Sequence, residues 1–384
     1  MKGLVVSAEW SPKPGYVVSQ FEKTTEKAIT GNSIWKNPKL EVKEVPDPTP
    51  GPKDVVLKVR ACGVCGSDVH FYETDSDGYM LYPGLTKFPC VIGHEFSGEV
   101  VEVGSEVKDL KVGDMVTAEE MIWCGECVPC RNGYPNQCLN LEEIGFTING
   151  AFADYILIGA KYCWKIDEIA ERYGDKEKAF EAGALVEPTS VAYNGMFVRA
   201  EGFKPGGYVV VFGAGPIGLA SIALAKASGA SKIIAFEISN RRRELAKLVG
   251  AEYVYNPAEV DPVEAILDVT KGAGADMLVE SAGAPTKTIP AMEKTLAIGG
   301  KIVQIGRAAE RVPVYLEYFQ THAGQIFGAQ GHSGYGTFQN VIRLMASGRI
   351  DMTQIITSRF SLSDAVSAIK KTSQREDGKV MVRM

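Results

Sequence analysis

Four thiols crowd one short run of this 384-residue chain: Cys124, Cys127 and Cys130 in Cys-Gly-Glu-Cys-Val-Pro-Cys, then Cys138 after seven more residues. At this spacing they can close a tetrahedral site around one zinc, with no position left for a substrate, so the expected ion is structural. Half of the eight cysteines lie here. The competing reading, disulfides, needs an oxidising compartment. The apolar run at residues 1–6 is too short for a signal peptide, so reduced thiols and a cytoplasmic location are expected.

A second set of donors lies upstream. Cys65 sits in Cys-Gly-Val-Cys-Gly-Ser-Asp-Val-His, residues 62–70, and His94 and Glu95 sit in Gly-His-Glu-Phe-Ser-Gly, residues 93–98. Two of the chain's four histidines, His70 and His94, fall in these runs. Cys65, His94 and Glu95 offer the S, N and O donors that a catalytic zinc takes while a fourth position stays open. Singly, each has an ordinary reading, since a lone cysteine is usually a small buried hydrophobe. Their combination with a nucleotide motif points to chemistry.

That motif is Gly213-Ala214-Gly215-Pro216-Ile217-Gly218, which follows the apolar run 209–212 and opens the helical pattern 219–226. This strand–loop–helix context turns a weak pattern into a dinucleotide fingerprint. Gly213 allows the tight turn, Gly215 the approach of the pyrophosphate, and Gly218 the close packing of helix on strand. Pro216 and Ile217 begin a helix whose unpaired N–H groups face the phosphates. About twenty residues on, Glu237 ends the next apolar run, where a carboxylate accepts bonds from ribose hydroxyls. It also repels a ribose phosphate, which favours NAD over NADP, although Arg241 and Arg242 are of the type that binds one. Arg242 is counted among the cofactor residues. So are Ser281, just past the run 277–280, and Ile305, closing the run 301–305.

The elements that must carry these residues have two textures. Residues 39–65 alternate as strands around a Pro/Gly-rich turn, and short runs at 99–103, 115–118 and 153–158 follow, which predicts an all-β region. From residue 208 apolar strands alternate with helical patterns such as 241–249 and 263–270, which predicts a doubly wound parallel sheet. The expected division is residues 1–190, with the zinc lobe at 119–140, then 191–333 for the nucleotide, then 334–384 returning to the first domain. A formal net charge of −6 gives no footprint for nucleic acid or an anionic membrane. The most apolar stretch, 208–230, is interrupted by glycines, Pro216 and Lys226, and is not a membrane span.

Together the 62–70 and 93–98 runs, the four-cysteine lobe, Glu187-Pro188 and the glycine fingerprint resemble the zinc-dependent medium-chain alcohol and polyol dehydrogenases over nearly the whole chain. The resemblance implies a GroES-like β-barrel domain and a Rossmann NAD-binding domain with the active site in the cleft between them. It implies two zincs per chain and a homo-oligomer, tetramer or dimer. Cys65 and His94 would be ligands of the catalytic zinc, and Glu95 a ligand or near-ligand. Glu187 would bind directly or through water, at a position where a glutamate marks the sorbitol and threonine dehydrogenase side of the family. Ser67 and His70 would relay the alcohol proton to solvent by way of the cofactor ribose.

Two segments, 11–38 and 73–84, look inserted relative to the shortest family members. The second is rich in acids and tyrosines, lies between the two zinc motifs, and suits either a polyhydroxy substrate or a plain surface contact. With 185–194 and 328–334, it is similar to a subgroup acting on inositol-derived ketones. Gln330 and His332 either touch substrate or cap loops. A polyol-like secondary alcohol is therefore the expected substrate, with L-threonine, sorbitol and butanediol as alternatives. A non-catalytic zinc and nucleotide binder would be expected to have lost Cys65, His94 or Ser67, and this chain keeps all three.

Overall fold

Asp54–Gly63, with Val55, Val56, Leu57 and Val59 all buried, is the central strand of the first sheet in the computed structural model, which describes residues 1–308 and 310–384. A strand covered on both faces needs such a nearly continuous β-branched and aliphatic run. It pairs antiparallel with Glu95–Val103 and Tyr155–Gly159, and its last residues pair with Lys379–Arg383. Met115–Ala118, Cys163–Lys165 and Ile356–Ser361 complete seven strands. A smaller sheet sets Lys2–Trp10 between Trp35–Glu44 and Cys90–Val91. One apolar core, including Leu4, Ile34, Leu57, Phe71, Ile92, Phe96 and Phe152, fills this unit.

The unit comprises Met1–Glu187, Ser358–Gln374 and Val380–Met384. Glu181, on the helix Lys176–Ala184, fastens the returning segments: its carboxylate accepts from Arg359 Nε at 2.6 Å and from Arg383 Nε at 2.8 Å. Burial pushes this carboxyl up, but the two arginines outweigh it and hold it below the usual glutamate range. Removing one partner of a buried pair costs about 3–5 kcal/mol. With both guanidinium groups more than 40% exposed, Glu181→Gln is expected to cost about 2 kcal/mol at pH 7. The pair's contribution is present above the ordinary glutamate pKa and is lost as pH falls through the depressed one. Urea melts of wild type and variant should therefore converge in acid; a gap that widens there would contradict this.

The second unit, Pro188–Thr357 with Arg375–Lys379, is built on six parallel strands. Their spatial order is Tyr253–Tyr255, Lys232–Phe236, Tyr208–Phe212, Ala275–Glu280, Leu296–Gln304 and Gln325–Gly328. This order reverses direction between the first and fourth strands in sequence, and at such a point a doubly wound sheet opens a crevice for a ligand. The expected helices are present as Pro216–Ala227, Asn240–Val249 and Pro262–Thr270.

The chain returns to the first unit later than the 334 read from the sequence. Helix Thr337–Ala346 stays with the second unit, where Asn340 Nδ2 donates to Tyr193 Oη at 3.2 Å. The turn Met352–Ile355 packs on the helices Pro216–Ala227 and Asn240–Val249. Among the described residues no helix is long and apolar enough to cross a membrane.

The inserted segments 11–38 and 73–84 fold onto each other. Lys13 Nζ donates to Asp75 Oδ2 at 2.7 Å, and both Lys13 and Lys36 lie over the Tyr79 ring. Asp75 also accepts from the N–H groups of Asp77 and Tyr79, and Tyr82 packs on Phe71 and Phe146. The tyrosines of this segment are thus spent inside the protein, and Asp75 is tied to Lys13.

Candidate active site

The four lobe cysteines converge, with their Sγ atoms all within 4.8 Å of one another and none in a disulfide. Cys138 Sγ lies 3.6 Å from Cys124 Sγ and 3.8 Å from Cys127 Sγ. A tetrahedron with Zn–S bonds of about 2.3 Å has edges of about 3.8 Å, so this lobe fits the ion. The electrostatics agree. Backbone N–H groups of Glu126 and Cys127 draw the Cys124 thiol down to about 6, whereas burial pushes Cys130 up to about 12. Without a cation the set does not hold four thiolates at neutral pH; a dication supplies the missing charge.

The second donor set is assembled from two elements. Cys65 caps the short helix Gly66–Tyr72, its N–H donating to Asp68 Oδ2 at 2.9 Å. His94 directly precedes the strand Glu95–Val103 and Glu95 opens it, both buried. The ligand atoms of Cys65, His94 and Glu95 lie within 4.8 Å of one another. His94 Nδ1 is 3.8 Å from Asp68 Oδ1, and the ring rests 4.7 Å from Phe146, so Nε2, on the side of Ser67, is the nitrogen that would meet a metal. Burial pushes the His94 pKa down, but the Asp68 charge, the interaction with the Cys65 side chain and the Glu187 charge outweigh it and raise the pKa well above the usual value. A buried imidazole beside the Asp68 and Glu187 carboxylates and the Cys65 sulfur is a place where a cation is favoured.

Glu187 is buried and close enough to act on His94, but its oxygen groups with that of Glu120, also buried, within 4.8 Å. Glu120 and Asp68 are residues that sequence reasoning passed over. The acidic pair Glu119-Glu120 at the start of the lobe, and the acid inside Cys-Gly-Ser-Asp, were the available signals. Ser67 Oγ is 3.4 Å from His94 Nε2. His70, three residues on, shares its helix face, and its carbonyl accepts from Leu81 and Tyr82, so the second insertion pins the end of this helix.

In the second unit the loop after Tyr208–Phe212 has the form a dinucleotide requires. Gly213 takes φ +88°, and a Cβ on Gly218 would stand 1.9 Å from the Gly213 carbonyl oxygen, so neither position admits a side chain. Gly215 differs: a Cβ there would meet nothing nearer than Arg242 Nη1 at 3.9 Å, so the middle of the loop is bare backbone open to a ligand. Pro216 is the first residue of a twelve-residue helix, and Ile217 follows it, both half-buried. Glu237 is fixed where it stands, its two oxygens accepting from Ala214 N at 2.7 Å and Ser239 N at 2.8 Å. Ser281 Oγ donates to the carbonyls of Phe212 and Gly213, so its hydroxyl braces the loop. Ile305 Cδ1 packs on Gly195, Arg242 Nε donates to the Asp377 carbonyl, and His332 is buried against Phe338. Glu280, at the end of its strand, accepts from Ala282, Ala284 and Gln304 and is pushed up by burial; no sequence signal singled it out.

Two family models match, an alcohol dehydrogenase GroES-like domain over residues 51–168 and a zinc-binding dehydrogenase over residues 216–347. The chain is 45% identical to a scyllo-inosose 3-dehydrogenase of Thermotoga maritima, over 97% of this chain and 96% of that one. It is 37% identical to an L-threonine 3-dehydrogenase of Thermococcus kodakarensis, over 83% and 87%. Among solved structures, a candidate alcohol dehydrogenase from Thermotoga maritima superposes with a TM-score of 0.96 at 44% identity, covering 100% of both chains. A candidate zinc-binding dehydrogenase from Sinorhizobium meliloti, bound to NADP, superposes with a TM-score of 0.80 at 30% identity, covering 93% of this chain and 99% of that one.

Proposed function

This chain belongs to the zinc-dependent medium-chain dehydrogenases, and we propose that it oxidises a secondary hydroxyl of an inositol- or inosose-like polyol to a ketone, with the hydride passing to NAD. The observation that carries the reaction class is the convergence of Cys65, His94 and Glu95 as S, N and O donors within 4.8 Å. Cys65 and His94 Nε2 would hold the catalytic zinc, Glu95 and Glu187 would supply exchangeable oxygens, and the four lobe cysteines would hold a second, structural ion. A zinc so held supplies Lewis-acid polarisation of a hydroxyl at neutral pH. The bound nicotinamide supplies the hydride acceptor.

The chain's own residues do the remaining work. Asp68 fixes both Cys65, through its N–H, and the face of His94. Ser67 Oγ, beside His94, would accept the proton that leaves the substrate while giving up its own, and His70, one helical turn on, would carry the released proton outward. The bare backbone at Gly215 and the helix Pro216–Ala227 receive the pyrophosphate, and Glu237 accepts from the ribose hydroxyls. Glu237 supports NAD over NADP because a carboxylate and a 2′-phosphate repel each other. A homo-oligomer is supported by the exposed apolar Ile298, Leu316 and Ile326 around the edge strand Gln325–Gly328.

For the substrate, identity to the inosose enzyme over nearly the whole chain supports a cyclic polyol. The threonine enzymes, also above 30% identity, keep L-threonine as the second reading. A panel of inositols, inososes, linear polyols, butanediol and threonine, with NAD and NADP, decides between them. The highest kcat/KM is expected for a cyclic polyol with NAD. Threonine at the top of the series would replace the polyol reading, and NADP outperforming NAD would overturn the role given to Glu237.

A further inference from the structure

The arginines after Glu237 are the groups a ribose 2′-phosphate would need, because guanidinium pairs with phosphate through parallel hydrogen bonds. All three are already engaged. Arg243 closes its own turn, donating to the carbonyls of Glu237 and Ile238. Arg241 reaches the Thr357 carbonyl at 3.4 Å and Asp377 Oδ1 at 3.5 Å. Arg242 Nε donates to the Asp377 carbonyl at 2.9 Å, while its Nη1 lies at the open face of Gly215.

Asp377 is thus the point where Arg241 and Arg242 meet, Arg241 at its carboxylate and Arg242 at its main-chain carbonyl. Its side chain is only 2% exposed. Thr357 Oγ1 donates to its Oδ1 at 2.6 Å, and Gly378 N donates to that same hydroxyl, so the carboxylate is held in one place. Arg242 lies within electrostatic range of the carboxylates of Glu237 and Asp377 and of the like charge of Arg375. Taking the Asp377 charge away would release the Arg241 guanidinium and leave more uncompensated positive charge at Arg242, whose main-chain bond would remain. That is an arrangement suited to a dianionic phosphate.

We propose that Asp377 is a second specificity-determining residue for the cofactor: its carboxylate pairs with Arg241 and opposes the charge of Arg242, whose Nε its main-chain carbonyl already takes, and so it withholds both from a 2′-phosphate. This rests on the reading of Glu237 as favouring NAD, and it adds to that residue's direct repulsion a device that acts through the arginines. The two differ in kind, because Glu237 disfavours the wrong ligand itself whereas Asp377 removes the partners that ligand would use.

The test is calorimetric binding of ADP and of adenosine 2′,5′-diphosphate to the zinc-loaded protein. Asp377→Asn keeps the shape of the side chain and removes its charge. The affinity ratio of the 2′,5′-diphosphate to ADP is expected to rise about tenfold in this variant, a difference of one decade in relative affinity. Thr357→Val, which takes away the hydroxyl that fixes Asp377, is expected to move the ratio the same way by about threefold. Adding Arg241→Ala to Asp377→Asn should reverse part of the gain, which a general loosening of the fold would not do. A ratio unchanged in both Asp377→Asn and Thr357→Val overturns the inference. Wild-type protein that prefers the 2′,5′-diphosphate overturns the reading of Glu237 instead, and the variants still report on Asp377 by whether they move the ratio.

Discussion

Cys65→Ser is expected to cut kcat/KM by at least about a thousandfold while the protein stays folded. Cys65 is partly exposed at the start of the helix Gly66–Tyr72 and anchors it through its backbone N–H to Asp68, a bond the serine keeps. What the serine loses is the soft anionic ligand. A neutral hydroxyl beside His94 and Glu95 neither matches a thiolate's affinity for zinc nor carries its charge. The metal content should fall from two zincs per chain to one, with the far-ultraviolet circular dichroism unchanged. Turnover equal to wild type would remove Cys65 from the site. Two retained zincs with lost turnover would instead assign Cys65 a role other than ligand.

Cys138→Ser is expected to do the opposite: it costs stability and spares the chemistry. Cys138 is the most buried of the four lobe thiols, lies 3.6–3.8 Å from two of the others, and accepts the N–H of Cys124 and Asn140. An ion that closes this lobe contributes to folding directly, because the unfolded chain has no such site. Losing about 3–4 kcal/mol in a chain with cores of this size lowers Tm by about 10 °C. Zinc again falls to one per chain, but kcat per folded molecule should stay within about threefold of wild type, since no position on a four-thiolate ion is left for substrate. The two cysteine variants therefore separate two zincs that total metal analysis alone would merge. A Cys138→Ser protein that keeps its Tm but loses turnover would contradict the division.

How much of this was legible in the sequence depended on how local each feature is. The glycine loop, its strand and its helix lie within twenty residues and answer to backbone sterics alone, so Gly213, Gly218 and the run to Glu237 could be read directly. The four-cysteine lobe is likewise one continuous segment. Cys65, His94 and Glu95 were recognisable as types, but their meeting required the fold, because the strand Glu95–Val103 pairs with Asp54–Gly63 and so brings residue 95 beside residue 63. Glu120 and Asp68 carry no local signature that separates them from other acids, and both are buried in the structure. Asp75 and Tyr79 looked available to a substrate, yet Lys13 and Lys36, more than forty residues away, occupy them. The link between Arg242 and Asp377 spans 135 residues and carries no local signature. The return of the chain at Ser358 was hidden for a similar reason. The amphipathic helix Thr337–Ala346 has an apolar face that suits either unit, and only its packing chooses.

The central claim is that a hydride leaves a carbinol carbon of a polyol for the nicotinamide in a zinc-dependent step. Mass analysis of the reduced cofactor tests it most directly, using a cyclic polyol deuterated at its carbinol carbons, with zinc-loaded wild type and Cys65→Ser in parallel. The expected result is one deuterium in each reduced nicotinamide formed by wild type, and no reduced nicotinamide from Cys65→Ser. Reduced cofactor without deuterium, or deuterium transfer undiminished in Cys65→Ser, would contradict the account.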